Sequence, residues 1–175
     1  RADGVMHFVE SYRQISRAPQ VRPRPIDVEA WGQELEALFR ASDRAEGIDF
    51  TLRMVEDLAS LEADPDLMSQ VLINLLRNAA QALSRVKGRG RIRIRVARGP
   101  GGAALLEVWD SAGALAAEDR QRIFEPFFTK ASGGTGLGLS TVHTIVHAHG
   151  GTIGFDRVSP HGTIFRIDLP RVLGL

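Results

Sequence analysis

The chain has 175 residues, a formal net charge of +1, 43% hydrophobic residues and 25% charged residues. This composition is typical of a soluble globular protein with one core and a short appendage, and it excludes a disordered or fibrous chain. No apolar run approaches the roughly 18 residues of a membrane-spanning helix. The near-neutral charge argues against bulk binding to nucleic acid. The absence of cysteine excludes disulfides and thiolate metal sites, and it fits a reducing compartment.

Apolar residues at helical spacing predict an amphipathic helix over residues 4–17, and the prolines that follow end it. Periodicity and turn residues then predict, in chain order, a helix over 27–40, a strand over 48–55, a helix over 64–86, strands over 91–98 and 103–109, a loop region over 110–134 with a helical stretch near 117–124, a helix over 136–148, and a hairpin of strands 152–157 and 163–169. This order predicts an α+β fold, a two-layer α/β sandwich with the helices on one face of a mixed sheet.

We expect three parts in the chain. Residues 1–18 would be the end of a helix from another domain, residues 19–25 a proline-rich linker, and residues 26–175 the main domain. The sequence begins at Arg1, in the middle of what looks like a longer helix, and no signal peptide is recognisable, so we expect a fragment of a longer protein.

Arginines alternate with isoleucine and valine over residues 89–96, which is the period-two pattern of a half-buried strand. The favoured interpretation is a strand with a solvated arginine face. A patch that binds nucleic acid or lipid is the less favoured alternative.

The predicted helix over 64–86 carries a polar stripe at i, i+4, i+7 and i+11, formed by Asn74, Asn78, Gln81 and Arg85. Asparagine is a mediocre helix former, so two asparagines in mid-helix need a reason. One interpretation is a solvated face. The other is a site in which amide oxygens act as neutral ligands of a hard cation such as Mg²⁺.

Glycines are concentrated in residues 133–140, directly before a predicted helix. Glycine lets the backbone approach a ligand closely, and the free N–H groups of a helix N-terminus attract anions, so the segment suggests a phosphate cradle. The segment is not a P-loop, because no Gly-Lys-Ser/Thr follows. It also lacks the G-x-G-x-x-G pattern of dinucleotide-binding proteins and Ser/Thr/Tyr kinases.

Two further features lie between these elements. Asp110 ends the apolar strand over 105–109, where a buried carboxylate could accept a hydrogen bond from the amino group of adenine or could simply cap a loop. Residues 122–130 contain phenylalanines outside any predicted strand, which suggests a lid or a docking patch. Lys130, at the end of this segment, could reach a phosphate.

In this order, the four features resemble the motifs of two-component sensor histidine kinases. Residues 64–82 resemble the N box, Asp110 opens a segment similar to the G1 box, residues 124–130 resemble the F box, and residues 134–140 resemble the G2 box. The resemblance covers about residues 20–172. The short loop between the F and G2 boxes is most similar to the nitrogen-regulation type of sensor kinase.

The resemblance implies a Bergerat-type site for ATP and Mg²⁺. In it Asn78 would ligate Mg²⁺, Asn74 would support the phosphates or the metal, and Lys130 would approach the γ-phosphate. Asp110 would accept from the adenine amino group, and Thr163 would assist through water. The remaining residues implied to contact the nucleotide are Gly113, Phe127, Gly134, Thr135, Gly136, Leu137, Gly138 and Leu139.

The resemblance also implies a function and partners. The domain would transfer the γ-phosphate of ATP to a histidine on the dimerisation domain, which this chain lacks, for relay to a cognate response regulator. The full-length protein would be a homodimer through its dimerisation helices. We expect a cytoplasmic location, and the full-length protein could carry a membrane anchor. We expect no nucleic-acid partner and no direct membrane contact from this fragment. His7 lacks the acceptor-box context, and the pair His143 and His147 lacks the glutamate of a metalloprotease motif.

The sequence departs from the family pattern in the G1 box. The usual Asp-x-Gly-x-Gly is here Asp110-Ser-Ala112-Gly-Ala114. A methyl group at either position would obstruct the backbone, and a positive φ would strain alanine by about 1 kcal/mol. Gly113 could supply the freedom in a shifted turn. We therefore expect weakened ATP affinity, and the alternative function is a degenerate, weakly ATP-binding pseudokinase that signals through its contacts.

A third hypothesis is an ATPase of the gyrase, Hsp90 or mismatch-repair type. Those enzymes usually have a glutamate general base at the position that Asn74 occupies here. The sequence therefore favours the kinase interpretation over this one.

Overall fold

A computed structural model describes residues 19–54, 60–113, 115–130, 134–158 and 162–170 of the chain. The strands are β1 (Arg24–Asp27), β2 (Ile48–Met54), β3 (Ser60–Ala63), β4 (Gly90–Arg98), β5 (Ala104–Asp110), β6 (Thr152–Arg157) and β7 (Thr163–Leu169). The α-helices are α1 (Val28–Arg40), α2 (Pro65–Leu83) and α3 (Gly138–Ala148), and 3-10 turns cover Asp43–Ala45, Pro100–Gly102 and Ala117–Gln121. The predicted helix over 4–17 lies outside the described residues.

Five strands form one mixed sheet in the order β2-β4-β5-β7-β6. The pairing of β2 with β4 is parallel, and the other three pairings are antiparallel. The strands β1 and β3 form a separate two-stranded antiparallel sheet. The order places β5 at the centre of the large sheet, so a side chain at its end lies in the middle of the molecule.

One face of the large sheet is apolar and is covered by the helices. On β4 the residues of this face are buried and their neighbours are exposed, as the alternating arginines predicted. The helix α2 packs on this face and buries its stripe of Leu72, Leu75, Leu76, Ala79 and Leu83. The result is the predicted two-layer sandwich, with the core between the sheet and the helices.

The start of α2 is fixed by Asp64. Its Oδ1 accepts hydrogen bonds from the N–H groups of Asp66 and Leu67, and Pro65 occupies the first helical position. The Asp64 N–H in turn donates to Nε2 of His149, whose Nδ1 lies 2.8 Å from the Ile145 carbonyl oxygen. His149 therefore joins the end of α3 to the beginning of α2.

Two boundaries differ from those predicted. Arg24 and Pro25 belong to β1, which pairs with β3, so part of the predicted linker is a strand. The helix α2 ends at Leu83 rather than near Val86, because the N–H groups of Arg85 and Val86 bond to carbonyls three residues earlier and tighten the chain. The division at residue 25 into linker and domain stays a prediction.

The opposite face of the sheet carries a chain of ion pairs. Arg95 and Arg166 both bind the Glu107 carboxylate, at 3.0 and 2.9 Å. Arg166 also binds Asp156, which is bound in turn by Arg120 at 2.8 Å. The desolvation of Glu107 raises its pKa, but its bonds to the two arginines outweigh this and the pKa is lowered overall. The arginine face is thus partly neutralised within the sheet itself.

In the part of the chain that the structure describes, no helix is long and apolar enough to cross a membrane.

The tight entry into β6 gives a test of the packing. A methyl group at Gly151 would lie 2.6 Å from the Asp168 carbonyl oxygen, whereas one at Gly154 would meet nothing within 4 Å. We expect Gly151→Ala to lower the free energy of unfolding in urea by about 1–3 kcal/mol. Gly154→Ala is the matched control and should leave it unchanged or raise it by up to about 1 kcal/mol. Equal effects of the two changes would contradict the described backbone contact.

Candidate functional site

A cavity of about 480 Å³ opens between α2, α3 and the ends of β5 and β7. Its size is within the range of small-molecule sites. The structure brings together in its lining eleven of the residues that the sequence proposed: Asn74, Asn78, Asp110, Lys130, Gly134, Thr135, Gly136, Leu137, Gly138, Leu139 and Thr163. The other two, Gly113 and Phe127, lie outside the lining but bond to it: the Gly113 N–H donates to Oδ1 of Asp110, and the Phe127 N–H donates to the Gly136 carbonyl oxygen.

Asp110 and Thr163 are cross-strand partners on β5 and β7, and both are buried on the helix-covered face. Oδ1 of Asp110 accepts hydrogen bonds from the N–H groups of Ala112 and Gly113, at 2.8 and 3.4 Å. Burial raises the pKa of the Asp110 carboxyl from 3.8 to about 6, although these two bonds act to lower it. Among the described residues, the buried Thr163 Oγ1 has no hydrogen-bond partner. Two polar side chains are thus held side by side at the end of the central strands.

The polar stripe of α2 faces the beginning of α3. A methyl group at Gly138 would lie 3.6 Å from Oδ1 of Asn74 and 3.8 Å from Oδ1 of Asn78. Glycine at this position therefore lets the helix start come within contact distance of both amides. Nδ2 of Asn78 is buried and, within the described part of the chain, has no hydrogen-bond partner. Buried polar atoms are rarely left unpaired, so a group that accepts a hydrogen bond from this amide would satisfy it.

The N-terminus of α3 has no side-chain cap. Leu137 is the N-cap residue, and its carbonyl accepts from the N–H and the hydroxyl of Thr141 and from the hydroxyl of Ser140. The N–H groups of the first helical turn point out of the helix in the direction of its positive dipole end. Because this end lines the cavity, it is suited to an anion such as phosphate.

The segment from residue 115 to residue 130 forms a wall of the cavity, and Phe127 joins it to the glycine-rich segment. The Phe127 N–H donates to the Gly136 carbonyl at 3.0 Å. Phe127 is, of the described non-glycine residues, the one with a positive φ, at 68°. A methyl group at Gly136, which has φ 67°, would overlap the Phe127 backbone. Glycine is therefore required at position 136 for this contact.

Lys130 has a carboxylate partner. Its Nζ donates to Oδ2 of Asp119 at 2.6 Å, and the same oxygen accepts from the Ala116 N–H at 2.8 Å. The hydrogen bond from Lys130 is the main cause of the lowered pKa of the Asp119 carboxyl. Arg85, which the sequence placed on the polar stripe but which lies two residues beyond the end of α2, donates to the Lys130 carbonyl oxygen at 3.2 Å.

The strain expected at Ala112 in the G1 segment is not observed. The positive φ lies at Gly113, at 61°, and Ala112 does not adopt one. The Ala112 methyl packs against the core instead. The shifted turn considered from the sequence is therefore the one formed, and Ala114 lies outside the described residues.

Several residues of the lining were missed or left without a role by the sequence reasoning. Gln70 and Arg77 lie on the same face of α2 as Asn74, and the 3.6-residue period would have found them. Arg44 comes from a 3-10 turn far away in sequence, and no pattern indicates it. The described residues contain no group of three or more His, Cys, Asp and Glu side chains that could hold a metal.

Residues 63–173 match the family described as histidine kinase-, DNA gyrase B-, and HSP90-like ATPases. The chain belongs to this family. Sensor histidine kinase ZraS of Klebsiella oxytoca is 34% identical over 171 residues, which cover 97% of this chain and 36% of ZraS. Sensory histidine kinase/phosphatase NtrB of Rhodobacter capsulatus is 34% identical, over 96% of this chain and 50% of NtrB. The chain therefore spans between a third and a half of the length of these relatives.

A solved structure of full-length ShkA in complex with AMPPNP superposes with a TM-score of 0.80 at 26% identity, over 96% of this chain and 36% of ShkA. The resemblance to the ATP-binding domain of sensor histidine kinases and the α+β fold are confirmed by these similarities. They do not favour the pseudokinase alternative.

The raised pKa of Asp110 predicts how stability depends on pH. The carboxyl ionises in the unfolded chain near pH 4 but keeps its proton in the folded state to about pH 6. Because the folded state holds this proton more tightly, protonation of Asp110 stabilises the fold. That contribution to the unfolding free energy is fully present below pH 4 and is lost as the pH rises through 6. Asp110→Asn, which keeps an oxygen acceptor, should therefore gain about 2–3 kcal/mol in unfolding free energy relative to wild type between pH 4 and pH 7.

Urea unfolding of both proteins across this range measures the gain. Thr163→Val is the control, because neither side chain titrates and its difference from wild type should not change with pH. An equally flat difference for Asp110→Asn would contradict the raised pKa.

Proposed function

We propose that the chain is the catalytic domain of a sensor histidine kinase, which binds Mg²⁺-ATP and transfers the γ-phosphate to a histidine on a separate dimerisation domain. The observation that carries the proposal is the pair of buried, unpartnered polar atoms in one cavity of the described structure, Nδ2 of Asn78 and Oγ1 of Thr163. Leaving such atoms unpaired costs about 1–3 kcal/mol each, so a ligand that pairs with them binds favourably. ShkA, with the same fold, has been solved with the ATP analogue AMPPNP.

The floor of the cavity suits adenine. An amino group donates to a carboxylate, and Asp110 offers Oδ2 for this bond because its two N–H donors bind Oδ1. Thr163, its cross-strand neighbour, can complete the contact directly or through water. Burial that excludes water strengthens these hydrogen bonds and penalises a base that cannot make them.

The other side of the cavity suits the phosphates. The uncapped start of α3 and the backbone of Gly134, Gly136 and Gly138 supply N–H donors, and Lys130 supplies a positive charge. Phe127 fixes the backbone of Gly136, and Gly113 fixes the turn that holds Asp110.

Magnesium fits the same place. It prefers oxygen ligands, retains several waters, and is usually held by one or two protein groups together with substrate phosphates. Asn78 would supply an amide oxygen and Asn74 would support it from one turn away. Bound in this way, Mg²⁺ would neutralise negative charge on the phosphates.

In the proposed transfer, the bond between the γ-phosphorus and the oxygen bridging to the β-phosphate breaks, and a bond from phosphorus to an imidazole nitrogen forms. ADP leaves with the electron pair, and the imidazole N–H proton passes to solvent. Positioning and electrostatic stabilisation supply most of the rate enhancement in such reactions. Residues 1–18 would be the end of a dimerisation helix in a homodimer, and a response regulator would receive the phosphate. A cytoplasmic location belongs to the same proposal.

The test is phosphotransfer from γ-labelled ATP to a separately supplied dimerisation domain that carries an acceptor histidine. We expect acid-labile, base-stable label on the acceptor, none without Mg²⁺, and none on this chain alone. Nucleotide binding without transfer would support the pseudokinase alternative. Steady ATP hydrolysis without an acceptor would support the ATPase alternative.

Asn78→Ala tests the metal ligand. Titration calorimetry should show ATP binding at least about 10-fold weaker in Mg²⁺, and the gain in affinity that Mg²⁺ gives to wild type should disappear. Ile73→Ala is the control on the same helix, since Ile73 is 37% exposed and lies outside the cavity lining. It should leave the affinity for ATP within about 2-fold of wild type, both with and without Mg²⁺. A Mg²⁺ effect that survives in Asn78→Ala would exclude Asn78 as ligand.

A further inference from the structure

Asp119 holds the lysine of the cavity in place through a short ion pair. Lys130 Nζ lies 2.6 Å from Oδ2 of Asp119, and the side chain of Asp119 is 8% exposed while that of Lys130 is 51% exposed. Asp119 is itself fixed, because the Ala116 N–H donates to the same oxygen at 2.8 Å. The carboxylate is therefore held by its own turn, and the lysine is the more exposed of the two partners.

The bond to Asp119 does not remove Lys130 from the cavity. Lys130 lines the cavity in this arrangement, and Asp119 does not. An ammonium group carries three donors, and among the described residues Asp119 takes one of them, which leaves two for a ligand. The lysine therefore stands between a buried carboxylate behind it and the cavity in front of it.

A second contact fixes the backbone of the same residue. Arg85, two residues beyond the end of α2, donates to the Lys130 carbonyl oxygen at 3.2 Å. Both the backbone and the side chain of Lys130 thus have defined partners. A lysine side chain has high rotational entropy, which an anchored lysine has already lost before it meets a phosphate.

We propose that Asp119 is a positioning residue for the terminal phosphate of ATP: it holds the Lys130 ammonium at the phosphate end of the cavity, where the two free donors bind the γ-phosphate. The inference rests on the proposed function, because it requires ATP in this cavity. Asp119 contacts neither the nucleotide nor the metal, and its effect acts only through Lys130.

The inference makes a selective prediction. Asp119→Asn keeps an oxygen acceptor for the Ala116 N–H but loses the charge that anchors the lysine. By titration calorimetry in Mg²⁺, ATP affinity should fall about 3- to 10-fold, and ADP affinity should stay within about 2-fold. Glu118→Gln is the matched control, since it removes the same charge from the neighbouring, exposed residue. It should leave both affinities within about 2-fold.

A double-mutant cycle separates positioning from support of the fold. Lys130→Gln should show the same selective loss of ATP affinity, and Asp119→Asn added to it should cause no further loss. Parallel loss of ATP and ADP binding, additive effects, or tighter ATP binding in Asp119→Asn would each overturn the inference. Wild-type protein that binds neither nucleotide would instead overturn the proposed function. Selective loss in Lys130→Gln with no effect of Asp119→Asn would overturn the inference and leave the proposed function intact.

Discussion

The carboxylate of Asp110 is buried at the end of the central strand β5, on the face that the helices cover. The preceding buried residues of this face are apolar, and Asp110 continues their alternation. The strand therefore presents a carboxylate at its last position without any change in backbone geometry. Burial opposes its ionisation, and the two N–H donors of the following turn hold it in place. The same hydrogen bonds determine how the chain leaves the sheet, since the turn with Gly113 begins there. The proposed recognition of a base and the path of the following loop thus depend on one side chain.

The two faces of the sheet divide the remaining tasks between them. The helix-covered face supplies the core and the cavity floor, while the opposite face carries charges that neutralise each other across strands from Arg95 to Arg120. Exposed ion pairs contribute little individually, and a network aligned across neighbouring strands mainly favours one strand register. That register places Thr163 beside Asp110. Charges on the outer face therefore support a geometry that is used on the inner face.

The sequence predicted those features that depend on local period or on chain order. The asparagines of α2 were found because the helical period places them on one face, and Asp110 because it ends an apolar strand. The β1–β3 sheet was missed, since both strands have four residues and β1 contains a proline. The ion pair of Lys130 with Asp119 was also missed, because it depends on the fold of a segment without a repeating pattern. At Ala112 the expected strain does not occur, because the turn moves its positive φ to the neighbouring glycine.

Three separate pieces of chain meet at the end of the cavity that we propose for the phosphates: α2 with the residues just beyond it, the segment that ends at Lys130, and the start of α3. Each piece contacts at least one of the other two. Arg85 reaches the Lys130 carbonyl, Phe127 binds Gly136, and Gly138 lies against Asn74. The segment from 115 to 130 is also tied to the sandwich itself, because Ile123 is buried in the core and Arg120 binds Asp156 of β6. The wall of the cavity that this segment forms is therefore held by the core on one side and by the start of α3 on the other.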